Sequence, residues 1–158
     1  MSQKDYPVTP AIRFLRENKV EFEPFEYEYQ EKGGTHQTAE ELKVDEHNVI
    51  KTLIMEADGE PIVVLMHGDR EVSTKNLARL LGVKKVEPAK AENAAKYTGY
   101  LFGGTSPFGT KRKMKTYIEE SIMALDYIYI NGGKRGFIVK ISPDALKLLD
   151  YELVSVAI

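Results

Sequence analysis

Three places in this 158-residue chain carry side chains or backbone able to do chemistry. Lys51 is the one charged residue within Val49-Ile50-Lys51-Thr52-Leu53-Ile54-Met55. The period of two in a strand puts Lys51 on one face with Leu53 and Met55, and Ile50, Thr52 and Ile54 on the other. An ammonium among apolar neighbours is partly desolvated and pulls harder on an entering anion. A lysine at a strand edge that extends its amine into water is the alternative reading of the same residues. The second place is Gly103-Gly104-Thr105-Ser106-Pro107-Phe108-Gly109, where three glycines and a proline can expose backbone N–H groups to a carbonyl or phosphate oxygen. Gly104 and Gly109 have the spacing of a P-loop, but Thr110-Lys111 follows instead of Lys and Ser or Thr, which excludes a nucleoside-triphosphate cradle. The third is Lys111-Arg112-Lys113-Met114-Lys115, four bases in five residues, with Lys134 and Arg135 available to join them. Such a cluster can hold a phosphodiester chain whose end enters a neighbouring pocket, or simply form a solvated turn.

Composition narrows the chemistry further. Cysteine is absent, so disulfides, thiolate metal sites and an enzyme thiol nucleophile are excluded. His36, His47 and His67 lie 11 and 20 residues apart, without the short spacing of a metal site. No metal or organic cofactor is expected. Serine–histidine–acid and paired-carboxylate schemes gain no support from any spacing. The net charge of −2 conceals a polarity: residues 21–46 hold nine acids against Lys32 and Lys43, whereas residues 75–115 hold ten bases against Glu87 and Glu92. One basic face on a slightly acidic chain fits limited, salt-sensitive contact with RNA and argues against a DNA binder. The longest apolar run, Ile62 to Met66, is too short to span a bilayer, and Met1 to Asp5 lacks an apolar signal region. A cytoplasmic protein without membrane contact is expected.

The elements that must hold these groups read as one domain over residues 1–158. Thr9-Pro10 opens a helix that Asn18 stops. Glu21 to Tyr29 alternates like a strand, with Pro24 marking it as an edge. Thr38 is a candidate cap for a short helix, and Val49–Glu56 and Pro61–His67 form a hairpin about Asp58-Gly59. Thr74 caps a helix closed by Gly82, Val83 and Val86 form a brief strand, and Ala89 to Tyr97 forms a helix stopped near Gly99. Tyr100-Leu101-Phe102 reads as a short apolar strand. Tyr117 to Met123 is ambiguous between helix and strand, Tyr127–Ile130 and Phe137–Ile141 form a hairpin around Asn131-Gly132-Gly133-Lys134-Arg135-Gly136, where Asn-Gly tolerates the positive φ of a tight return, and Ser142-Pro143 opens a last helix before a strand over 153–158. Short strands mixed with short helices imply an α+β domain on a mixed β-sheet or open barrel.

Taken in order, Lys51-Thr52-Leu53, Gly82-Val83-Lys84-Lys85-Val86, Thr98-Gly99-Tyr100, Gly103 to Gly109 and Gly132-Gly133-Lys134-Arg135-Gly136 resemble the YbaK/EbsC family of aminoacyl-tRNA deacylases. That family is similar to the editing domain of bacterial prolyl-tRNA synthetases. The resemblance implies a mixed barrel flanked by helices and a trans-editing enzyme that removes a mischarged amino acid, with Cys-tRNA(Pro) or Cys-tRNA(Cys) as the favoured substrate. It implies catalytic roles for Lys51, Gly103 and Gly104, and substrate contacts from Tyr27, Thr52, Ser106, Pro107, Asn131 and Gly132. RNA contacts fall to Lys111, Arg112, Lys113, Lys134 and Arg135, and prolyl-tRNA synthetase is the expected protein partner. Cleavage is expected to proceed by attack of the substrate's own thiol or of water, so the reaction is a hydrolysis, or a lyase-type release in which the substrate thiol cyclises onto its own carbonyl. Two departures bear on specificity: Asn131 stands where the family commonly has a hydroxyl residue, and Gly33-Gly34-Thr35-His36 lacks an aromatic residue. The competing class is a non-catalytic module that binds tRNA or a synthetase.

Overall fold

The computed structural model describes residues 6–158, so the pentapeptide Met1 to Asp5 lies outside the described residues. An open, mixed eight-stranded sheet dominates it, with β1 (Glu23–Glu26), β2 (Val49–Ala57), β3 (Glu60–His67), β4 (Val86–Pro88), β5 (Thr116–Glu119), β6 (Ile128–Lys134), β7 (Phe137–Ile141) and β8 (Tyr151–Val154). The strand order is β1-β7-β6-β2-β3-β5-β8, with β4 paired to β2 off this path. Four helices flank it: α1 (Pro10–Glu17), α2 (Gly34–Leu42), α3 (Thr74–Leu81) and α4 (Ala91–Thr98). The α+β reading of the sequence is therefore correct.

The continuous apolar run in β3 follows from its place in the sheet. Both faces are covered, so its residues cannot alternate between core and water. Val63 and Leu65 join Ile50, Ile54, Phe108 and Phe137 beneath α1, while Val64 and Met66 join Met55, Leu77 and Val156 beneath α3. In the neighbouring β2, Lys51 interrupts the apolar sequence at the point where the sheet divides. Beyond the β2–β6 pairing at Val49↔Tyr129 and Ile50↔Ile130, β6 continues only with β7. The next partner of β2 on that side is β4, beginning at Met55↔Pro88. The intervening segment of β2, Lys51 to Leu53, faces a gap, and the pairing resumes where Ile54 O accepts from Ala89 N at 3.0 Å.

Several local expectations shift in ways that shape this gap. Thr38 is not a cap: α2 starts five residues earlier than that reading supposed, at Gly34, and the Thr38 hydroxyl lies inside the helix against Gly34 O and the Tyr27 hydroxyl. The cap of α3 is Ser73, whose Oγ accepts from Asn76 N, so Thr74 is the first helical residue. Tyr100-Leu101-Phe102 is not a strand, because Gly104 N donates to Leu101 O and folds the segment into a turn. In the β6–β7 hairpin the return is made at Arg135-Gly136, and Asn131 begins a bulge in place of the tight turn expected at Asn131-Gly132. The ambiguous stretch resolves as β5 followed by a 3-10 turn over Glu120–Ala124, and the last helix is a 3-10 segment, Pro143–Leu148.

Candidate functional site

The gap beside β2 opens into a cavity of about 380 Å³, within the range of small-molecule sites. Its walls come from the chain leaving β1, from the first turns of α2, from β2, from the loop after α4, and from Asn131 and Ile138 of the β6–β7 hairpin. Lys51 lines it, its side chain only 19% exposed, and its Nζ reaches Glu71 Oε2 at 3.2 Å. Glu71 is itself 79% exposed, so this pair is a weak one, and an anion entering the cavity can replace it at little cost. Thr52 and Tyr27 also line the cavity. The Thr52 Oγ1 is buried without a hydrogen-bond partner among the described residues, which leaves a polar atom for a bound molecule to satisfy. The Tyr27 hydroxyl pairs with Thr38 Oγ1 at 2.6 Å, and burial raises its pKa, keeping the phenol neutral.

Gly103 lines the cavity and Gly104 does not. Gly103 has φ +87°, and a Cβ there would lie 2.5 Å from Tyr29 Oη, so only glycine allows the loop to close on the tyrosine. The Gly104 N–H is engaged by Leu101 O at 2.9 Å and is not offered to a ligand. Among the described residues, the amides of Gly103 and Thr105 donate to no protein acceptor, and both residues line the cavity. Ser106 and Pro107 are buried behind the loop, where Ser106 Oγ accepts from Phe108 N at 3.0 Å. They shape the loop without reaching the cavity. Gly132 is buried against the Phe137 ring, and its carbonyl accepts from Thr9 Oγ1. Asn131 reaches the cavity, yet its amide is committed: Oδ1 accepts from Gly133 N at 2.7 Å and Lys134 N at 3.1 Å, and Nδ2 donates to Gly103 O at 3.2 Å. Asn131 thus ties the hairpin bulge to the glycine loop.

The basic residues divide into two groups. Arg135 sits at the mouth, its guanidinium 5.2 Å over the Tyr29 ring and its Nε donating to Phe102 O at 2.8 Å, with the exposed Lys134 beside it. Lys111, Arg112 and Lys113 are exposed and do not line the cavity. Arg112 pairs with Glu60 at 3.3 Å, at the far turn of the β2–β3 hairpin, about 20 Å along β2 from Lys51 at roughly 3.3 Å per residue. Sequence adjacency to the loop did not bring them to the pocket. Sequence reasoning also missed Tyr29, Lys32, Phe102 and Thr105 at the rim. The signal available for them was position: each lies within four residues of a glycine of the 33–34 or 103–104 pair.

Among the described residues, no acidic, histidine, serine or cysteine side chain lines the cavity, which presents two cations, Lys51 and Lys32, together with hydroxyls, one of which, Thr35 Oγ1, donates to Glu46 Oε2 at 2.7 Å. No group of three or more metal-ligating side chains occurs among the described residues.

Comparison with known proteins bears on this arrangement. Residues 31–149 match the model of the aminoacyl-tRNA editing domain. A candidate Cys-tRNA(Pro)/Cys-tRNA(Cys) deacylase of Enterococcus faecalis, EbsC, is 31% identical over 146 residues, covering 91% of this chain and 89% of its own. A proline–tRNA ligase of Ligilactobacillus salivarius is 35% identical over 101 residues, which cover 64% of this chain but only 18% of the ligase. Among solved structures, a candidate trans-editing enzyme for prolyl-tRNA synthetase superposes with TM-score 0.81 at 17% identity, covering 95% of this chain and 98% of that one.

Proposed function

From the fact that the chain belongs to the aminoacyl-tRNA editing-domain family, we propose that it is a free-standing deacylase that cleaves the ester joining a wrong amino acid to tRNA. The observation that carries this reading is Lys51, a shielded ammonium in a cavity that Gly103 and Thr105, whose amides donate to no protein acceptor among the described residues, also line. The acylated 3′ end enters between them. Lys51 holds the terminal phosphate or ribose in place of its weak bond to Glu71. An amide of the loop donates to the ester carbonyl as negative charge develops, a contribution on the order of 3 kcal/mol for a well-aimed donor.

In this reading the attacking group comes from the substrate or from water; among the described residues the cavity wall holds no serine or cysteine, and its one hydroxyl bonded to a carboxylate is Thr35, whose Oγ1 donates to Glu46 Oε2 at 2.7 Å. For a cysteinyl ester, the substrate thiol adds to its own carbonyl, the ester C–O bond breaks, and the ribose oxygen leaves with the proton. The amino acid departs as a cyclic thioester. For another amino acid, water adds to the same carbon and the free acid departs. The first route is intramolecular and asks the protein chiefly for orientation, where effective molarities of about 10⁵ M or more are attainable.

Cys-tRNA(Pro) is the favoured substrate, with Cys-tRNA(Cys) beside it, on the 31% identity to the Enterococcus deacylase. Prolyl-tRNA synthetase is the partner this reading favours, because the modest net charge of −2 suits a factor delivered to tRNA better than one binding it tightly alone. Release of labelled amino acid from Cys-tRNA(Pro), Cys-tRNA(Cys), Ala-tRNA(Pro) and Pro-tRNA(Pro) tests the proposal. Cleavage of the cysteinyl esters with Pro-tRNA(Pro) spared supports it. Binding of all four without cleavage makes the protein a non-catalytic tRNA module instead.

A further inference from the structure

Two consecutive large apolar residues, Leu101 and Phe102, stand 67% and 69% exposed on the loop at the cavity mouth. Exposed aromatic rings are common on mobile surface loops, but this loop is held at every step. Leu101 O accepts from Gly104 N, Phe102 O accepts from Arg135 Nε, and Gly103 O accepts from Asn131 Nδ2. Arg135 is fixed in turn by stacking over Tyr29, whose hydroxyl packs where a Cβ on Gly103 would stand. The fold thus holds the backbone of Phe102 rigidly while leaving its side chain without core packing. Phe102 also lines the cavity that Lys51 occupies, and two further cations, Arg135 bonded to its carbonyl and Lys32 on the same cavity wall, form no ion pair among the described residues.

A fixed aromatic beside unpaired cations at the entrance to an ester-binding cavity has the makings of a single-stranded nucleic-acid subsite, because a base stacks on the ring while the cations meet the backbone. We propose that Phe102 is the stacking platform for the terminal purine base of the acylated RNA, with Arg135 and Tyr29 bracing the platform and Lys32 meeting the adjoining phosphate. This rests on the deacylase reading and adds to it the contact that positions the nucleoside. The ester carbon is then located by two anchors, Lys51 inside and the base outside. Phe102 acts as a positioning residue, since it touches no reacting atom.

The test is a cycle with Phe102→Ala on one side and removal of the terminal base on the other. Wild type and variant are assayed on an acylated acceptor-stem duplex ending in adenosine and on the same duplex ending in an abasic ribose. The expected result is a roughly tenfold fall in kcat/KM for either change alone, carried mainly by KM, and no further fall when both are combined. Phe102→Tyr keeps the stacking face and restores the wild-type value. Losses that multiply, or a Phe102→Ala enzyme that matches wild type, overturn the proposal while leaving the deacylase reading intact. An enzyme that cleaves neither duplex defeats that reading instead. In that event an uncharged duplex ending in 2-aminopurine still decides the stacking claim. Its fluorescence is quenched by wild type and by Phe102→Tyr but not by Phe102→Ala if the claim holds, and equally by all three if it does not.

Discussion

Lys51 keeps its stem among the residues of β2 while its amine reaches an exposed carboxylate, so its removal leaves little behind that the fold must repair. Lys51→Ala is expected to unfold within about 1 kcal/mol of wild type in urea and to lose deacylation by at least a hundredfold, the effect of losing one well-placed electrostatic contact. A folded variant with full activity removes Lys51 from the mechanism. His67 shows a different residue-scale effect. Its ring is buried, with Nδ1 donating to His47 O at 2.8 Å, which leaves Nε2 to accept from the Ser121 hydroxyl at 2.7 Å. Burial lowers its pKa below the usual 6.5. The unfolded chain therefore binds the proton first, so the stability tied to His67 is complete above pH 6.5 and is lost as pH falls from there through the lower folded value. Urea midpoints are expected to decline as pH falls below 6.5, and to decline less in His67→Gln. Equal slopes for the two proteins would mean that other groups carry the change.

At the scale of elements, the site depends on how the β6–β7 hairpin is clamped to its neighbours. Gly136 has φ +74°, and a Cβ there would stand 2.3 Å from the Tyr27 carbonyl, on the segment that lines the cavity. Gly136→Ala is expected to destabilise the protein by about 2 kcal/mol or more, combining left-handed backbone strain with a contact to backbone that cannot yield. Its urea midpoint measures this. Thr9 makes the second clamp: its Oγ1 accepts from Ile12 N to cap α1 and donates to Gly132 O in the bulge. Thr9→Ala is expected to cost about 1 kcal/mol and to lower deacylation as well, since the bulge carries Asn131 toward Gly103. A stability loss without an activity loss would separate the clamp from the site. The elements themselves were largely legible. Thr9-Pro10, Asp58-Gly59 and Gly82 punctuate the chain by local chemistry, and Pro24 correctly placed its strand at the sheet edge. The failures differ in cause: Leu101 to Gly104 close a local turn, whereas Thr38 bonds Tyr27 as well as its own helix, and Asn131 bonds distant Gly103 as well as the neighbouring amides of Gly133 and Lys134.

For the whole molecule, Lys51 is visible in the chain as a lone charge in an apolar strand, but the division of the sheet that makes room for it is a matter of topology. The same limit explains the basic cluster. Lys111 to Lys113 follow the glycine loop in sequence, yet the chain carries them to the other end of the hairpin, beside Glu60. Any RNA they meet lies outside the cavity. Replacing all three with alanine is expected to raise KM and reduce the slope of log KM against log salt by about 2, leaving turnover at saturation largely unchanged. An unaltered slope would make them a solvated turn. The account turns on the cavity beside Lys51 acting upon the ester of a mischarged tRNA. Single-turnover release of cysteine from Cys-tRNA(Pro) by wild type and Lys51→Ala tests this most directly. The expected result is rapid release by wild type and near-background release by the variant, with Pro-tRNA(Pro) untouched by either. Equal release by the two proteins, or none by wild type, would contradict it.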